Sequence, residues 1–231
     1  MDLSKFSSNY IDSFEFSKAA YKEALVLTDE DYFSLSGSTK QLIEEILPIA
    51  LLTQYLRTPE LEVEVVWFND SEPRDGKIRL KGKPVDLGFY ESEYFVEVTT
   101  AVSSKDYLKR EALQKNGVVF GGENIFRKGK RASPILSQPE VQEAGTHVNR
   151  LVACIINRIK AKSRKEYPAP CILVVNVQPE KKLTILDWAY IFRYIQIEKS
   201  IKSNFKSIYA IDVYNNSVVS LPLRACTSWG E

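Results

Sequence analysis

Residues Cys171–Val177 (Cys-Ile-Leu-Val-Val-Asn-Val) form an apolar run broken only by Asn176 and entered directly from Pro168-Ala169-Pro170. The prolines stop any preceding helix, and seven residues suit a strand. An amphipathic strand alternates, whereas a run apolar on both faces suits the buried centre of a sheet covered by helices. The chain therefore reads as an α/β fold in which helical stretches flank a central sheet.

The other segments supply those layers. Phe14–Leu25 has a short helical pattern. Ser38-Thr39-Lys40-Gln41 is a capping-box pattern opening a helix to about Leu56, with apolar positions Leu42, Ile43, Ile46, Leu47, Ile49 and Ala50 and an expected kink at Pro48. Leu61–Phe68 reads as a strand, and Asn69–Gly76 as a turn that includes Pro73-Arg74-Asp75-Gly76. Ser103-Ser104-Lys105-Asp106 starts a helix that Asn116-Gly117 ends. Val141, Ala144, Val148, Leu151, Val152, Ile155 and Ile159 recur at helical spacing within about 138–165. A helix over about 184–205 and strands over 207–213 and 217–223 complete the order. Helix, three-stranded meander, helices, buried strand, helix and strands predict one α/β domain over 1–231, with a mixed sheet at its centre.

The stretch Lys83–Ala101 reads as a hairpin. Val85, Leu87 and Phe89 alternate with Asp86, Gly88 and Tyr90; Tyr94, Val96 and Val98 alternate with Phe95, Glu97 and Thr99. A turn centred between Glu91 and Ser92 sets Asp86 opposite Glu97. Like charges facing each other across two strands are destabilising and raise each other's pKa unless a cation lies between them. Mg²⁺ is such a cation, since it takes oxygen ligands from one or two carboxylates together with water and phosphate. The same two acids also suit the solvated side of an amphipathic hairpin.

Net charge is +1 overall but unevenly spread. Residues 1–60 hold five bases against ten acids, and residues 101–170 hold fourteen bases against six acids. A basic middle suits a polyanion partner. The loop 121–133 carries Arg127, Lys128, Lys130 and Arg131 among glycines, a composition suited to gripping a nucleic-acid backbone, although it lacks the end of a Walker loop. One histidine, His147, excludes metal sites needing two. Cys154, Cys171 and Cys226 have no zinc or redox spacing and suit free thiols in a reducing cytoplasm. The N-terminus has no secretory pattern and no apolar run reaches membrane-spanning length, so no membrane partner is expected.

Pro84-Val85-Asp86, ten further residues, and Glu97-Val98-Thr99, within this order of elements, resemble the PD-(D/E)XK nuclease superfamily. The likeness covers roughly residues 38–177. It implies a restriction-endonuclease-like fold in three layers and metal-dependent hydrolysis of nucleic acid, DNA in the first instance. Asp86 matches the motif aspartate and Glu97 the second acid. Glu45, or nearly as well Glu44, matches the helical acid, so Glu45, Asp86 and Glu97 would hold Mg²⁺ or Mn²⁺.

Two departures stand out. Pro84 precedes Asp86 by two positions rather than one, and Thr99 occupies the lysine position. Thr99 would position the attacking water, and Lys105 or Lys109 would supply the missing charge. The expected activity is therefore that of a Mg²⁺-dependent endonuclease, with homodimerisation left open. Two alternatives remain: a protein of the same fold that binds nucleic acid or a protein without cutting, and an interaction module whose acids are solvated.

Overall fold

The computed structural model of the 231-residue chain describes all residues except 71, 121–123, 130–132, 140, 142, 144, 180–181, 199–202 and 222–231. A short 3-10 turn (Ser4–Phe6) leads into β1 (Ile11–Asp12) and α1 (Ser13–Leu25), whose first turn is capped by the Asp12 carboxylate on the Phe14 amide. A capping box from Thr28 starts α2 (Asp29–Ser34). Then α3 (Gly37–Gln41) passes through a π-helical turn (Leu42–Ile46) into α4 (Leu47–Leu56).

The π turn has a chemical cause at hand. Pro48 has no amide hydrogen, and in a regular helix its ring would press on the carbonyl four residues earlier, that of Glu44. The helix is wide just there, with the Leu47 N–H reaching back five residues to the Leu42 carbonyl. Such widened turns are frequent at functional sites.

Strands β2 (Glu62–Trp67) and β3 (Gly76–Lys81) follow, then a single helical turn α5 (Lys83–Asp86), β4 (Glu93–Ala101) and α6 (Ser104–Asn116). Next come a small ribbon of β5 (Ile125–Arg127) and β6 (Ile135–Ser137), then α7 (Thr146–Lys162) and β7 (Cys171–Val177). Helix α8 (Ile185–Ile197), β8 (Ser207–Asp212) and β9 (Ser217–Leu221) close the described chain.

Seven strands form one mixed sheet in the order β1-β2-β3-β4-β7-β8-β9. Strands β4, β7 and β8 run parallel, and the remaining neighbours are antiparallel. One face buries Val96, Val98, Ile172 and Val174 against α1, the π turn and α4. The other buries Leu173, Val175 and Val177 against α7 and α8. Every residue of β7 is buried, as its composition requires. Each fully buried aliphatic side chain there contributes about 1.5–3 kcal/mol. Among the described residues no helix is long and apolar enough to cross a membrane.

The expected 83–101 hairpin is corrected. The partner of β4 is Gly76–Lys81, with Gly76 opposite Val96 and Arg79 opposite Glu93. Asp86 lies instead in the exposed turn α5, within the connection between the two strands. Gly82, at φ 126°, breaks the strand, and a Cβ there would sit 2.2 Å from the Glu60 carbonyl oxygen. Pro84 then opens a helical turn, where a missing amide hydrogen costs nothing. The alternation of Val85, Leu87 and Phe89 carries no sheet face, since Leu87 is 60% and Phe89 75% exposed. Two helices are also shorter than their patterns predict: α7 begins at Thr146 and α8 ends at Ile197.

Candidate functional site

Strand β4 outruns its neighbour. β3 starts opposite Val96, so beyond that point the β3 side of β4 lacks a strand partner. Asp75, the residue before β3, takes over. Its N–H donates to the Val96 carbonyl at 2.8 Å, and its Oδ2 accepts the Val98 N–H at 2.6 Å. The register of the two strands sets Asp75 opposite Glu97.

Alternation then chooses the face. Val96 and Val98 enter the core under α4, while Phe95 and Ala101 pack on the α7 side. Glu97 and Thr99 share parity with the second pair and are buried, Glu97 to 5% exposure. The last turn of α7 brings the Lys162 ammonium onto the Glu97 carboxylate, and the Tyr167 hydroxyl donates to the same oxygen at 3.5 Å. Glu45, in the π turn, accepts the Trp67 indole N–H at 3.1 Å. Its neighbour Glu44 is buried, and its Oε1 meets no hydrogen-bond partner among the described residues.

The electrostatics follow from crowding. Burial, and then the negative charge of Glu97, push Asp75 up to about 7; the Val98 N–H opposes the rise and Glu45 adds to it. Burial raises Glu45 as well, against the Trp67 hydrogen bond, with Glu44 and Glu97 raising it further. Burial raises Glu44 against Lys40, Arg110 and Arg158. The Cys171 thiol is pushed up to about 12, by burial first and then by Glu97, which rules it out as a thiolate nucleophile near neutral pH.

Fully ionised, Asp75, Glu97 and Glu45 would carry more negative charge than Lys162 alone offsets. Among the described residues no three acidic, imidazole or thiol groups stand together as a cage for a metal ion. Mg²⁺ does not require one: one or two carboxylates suffice, with water and phosphate oxygens completing the shell. Asp75 and Glu97 fit that donor set. The pKa of Asp75 is raised first by burial and then by Glu97, and a divalent cation would offset the second of these.

The structure separates the other candidates. Glu45 stands close enough to Glu97 for their charges to interact, without the two forming one cluster, and Thr99 lies on the same strand face as Glu97. Asp86 lies elsewhere, and the ammonium on Glu97 comes from Lys162 rather than from Lys105 or Lys109. Both of those lie in the first turns of α6, with Lys109 buried 3.9 Å from Asp106. Arg127 pairs with Glu111 and donates to the Ser133 carbonyl at 3.1 Å, while Lys128 is exposed. Lys130 and Arg131 lie outside the described residues.

Sequence reasoning missed Asp75 and Lys162. A signal for Asp75 existed, because Pro73-Arg74-Asp75 has the same Pro-x-Asp form as Pro84-Val85-Asp86. Lys162 carried none, since cations at a helix end already suit the helix dipole. No family model, curated protein or solved structure matches the chain.

Proposed function

We propose that this chain is a metal-dependent nuclease of restriction-endonuclease-like fold that hydrolyses phosphodiester bonds in DNA. The observation that carries the reading is Asp75 facing Glu97 where β3 gives out, with the Lys162 ammonium against Glu97. The facing acids inferred from the sequence thus recur one strand earlier, with Asp75 in the role first given to Asp86.

Asp75 and Glu97 would hold Mg²⁺ or Mn²⁺, with Glu45 beside them. A cation there would polarise the scissile phosphate and make a bound water acidic. Lys162 supplies fixed positive charge where negative charge grows in the transition state, the part that Thr99 lacks. The Thr99 hydroxyl, two residues along the same strand face, orients water. Trp67 fixes Glu45 in place through its indole N–H. The excess of bases in residues 101–170 supports a polyanion partner. The absence of zinc or redox spacing among the cysteines of the sequence suits a cytoplasmic setting.

A direct test incubates the protein with plasmid and single-stranded DNA in Mg²⁺, Mn²⁺ or EDTA. Cleavage should need metal and should vanish in Asp75→Ala, Glu97→Ala and Lys162→Met. Undiminished cleavage in the two acid variants removes the assignment. A second reading has its own observation: Lys162 already offsets Glu97, as an internal cation would in a protein that binds without cutting. That reading expects salt-sensitive DNA binding and no cleavage with any divalent ion.

A further inference from the structure

The parallel strands β4, β7 and β8 end at Ala101, Val177 and Asp212. Residues just past all three ends (Val102, Gln178-Pro179 and Tyr214-Asn215) line one cleft of about 660 Å³. Clefts of this size accept small ligands, and in α/β sheets ligands gather outside the carboxyl ends of the strands. This cleft shares no lining residue with the set Asp75, Glu97, Glu45 and Lys162.

Its chemistry is one-sided. Arg110 and Lys182 line it, and Lys109 lines it beside Asp106. Asp106 is the one acid in the lining among the described residues, and its Oδ2 is engaged by the Ser103 amide and hydroxyl in the cap of α6. Two buried polar atoms of the lining meet no hydrogen-bond partner among the described residues: Nη1 of Arg110 and Nε2 of Gln178. Both are donors, shielded from solvent as the side chains stand, so a ligand that turns them into the cleft and satisfies them must bring acceptors. The other Arg110 nitrogen, Nη2, already donates to Gln178 Oε1, which fixes the two side chains as a unit.

Aromatic rings complete the wall. Tyr32, Phe33 and Tyr214 line the cleft, with the Tyr32 hydroxyl 2.6 Å from that of Tyr214. The Arg110 guanidinium lies 6.0 Å from the Tyr32 ring centre. A ligand matching donors, cations and rings together carries an anionic acceptor group and a flat π-system.

We propose that this cleft binds a nucleoside 5′-phosphate, with the phosphate on Arg110, Gln178 and Lys182 and the base against Tyr32, Phe33 and Tyr214. The unit has two sources, a free mononucleotide or the 5′-phosphate end of a strand. Neither requires the metal-dependent reading of the acid site.

The test uses the full chain in EDTA, titrated calorimetrically with adenosine 5′-monophosphate, adenosine, inorganic phosphate, and a short DNA strand with or without a 5′-phosphate. Saturable binding of the mononucleotide is expected, with adenosine weaker by about tenfold or more and inorganic phosphate competing. Arg110→Met and Gln178→Leu should each weaken it by about tenfold, and Asp75→Ala should leave it intact. Lys182→Met, at an exposed position, should weaken it without disturbing the fold. Binding of the phosphorylated strand without the free nucleotide identifies a strand-end site and equally supports the proposal. It is overturned if neither phosphorylated probe binds by about 1 mM, or if Arg110→Met and Lys182→Met bind as the wild type does.

Discussion

The Asp75 carboxylate accepts the Val98 amide at 2.6 Å and so continues the β4 ladder past the point where β3 has ended. One side chain thereby caps a strand edge and faces Glu97. The hydrogen bond favours its ionised form, while burial and Glu97 oppose it more strongly.

This balance predicts a pH dependence of stability. The pKa of Asp75 is raised in the folded state, so the native protein binds this proton more tightly than the unfolded chain. The resulting stability is full below the ordinary carboxylate range and is lost as pH rises towards about 7. Metal-free protein should therefore lose stability between about pH 4 and about pH 7. Asp75→Asn keeps an acceptor for Val98 and removes the charge. It should flatten the slope and be more stable at about pH 8 by on the order of 1–3 kcal/mol. Thermal melts in EDTA across this range decide the point, and an unchanged slope in the variant counts against it.

Asp75 and Asp86 can be told apart by activity. Asp86→Ala alters an exposed turn away from Glu97 and should cleave DNA at the wild-type rate. Asp75→Ala should lower cleavage by about a hundredfold or more. Parallel plasmid assays with Mn²⁺ measure both, and the reverse pattern would restore the Asp86 pairing.

Removing Lys162 should harm stability as well as activity. Glu97 is buried, and Lys162→Met leaves its charge uncompensated at a cost of about 3–5 kcal/mol. Adding Glu97→Gln should recover much of that loss while cleavage stays absent. Urea denaturation of the two single variants and the double variant gives the coupling directly. A coupling near zero would mean that the ion pair has little energetic weight.

Pro48 offers a test of the π turn. Pro48→Ala restores the amide hydrogen and removes the ring from the Glu44 carbonyl. The helix should then relax towards regular winding, with stability unchanged or higher by about 1 kcal/mol and Glu45 rotated away from Asp75 and Glu97. Cleavage should fall by about tenfold or more. Wild-type activity in this variant would detach the π turn from the function.

The legibility of the chain varied with the range of the forces involved. The boundaries of β7 follow from composition, because a strand buried on both faces is apolar at nearly every position, here all but Asn176. The start of α6 follows from Ser103 and Asp106, which cap it through local hydrogen bonds, and its end from Gly117 at φ 70°. The partner of β4 was misread because Val85, Leu87 and Phe89 imitate a strand, while the residues that prevent it, Gly82 and Pro84, act through backbone geometry.

The sequence by itself determined an α/β fold with a buried strand at 171–177, flanking helices and an acidic residue, Glu97, within another strand. These depend on burial, periodicity and capping, which act over a few residues. Only the tertiary structure decided that Asp75 faces Glu97 and that Lys162, 65 residues further on, pairs with it. Strand register is set by the whole ladder, and the meeting of α7 with β4 is set by the packing of a core that neither segment contains alone.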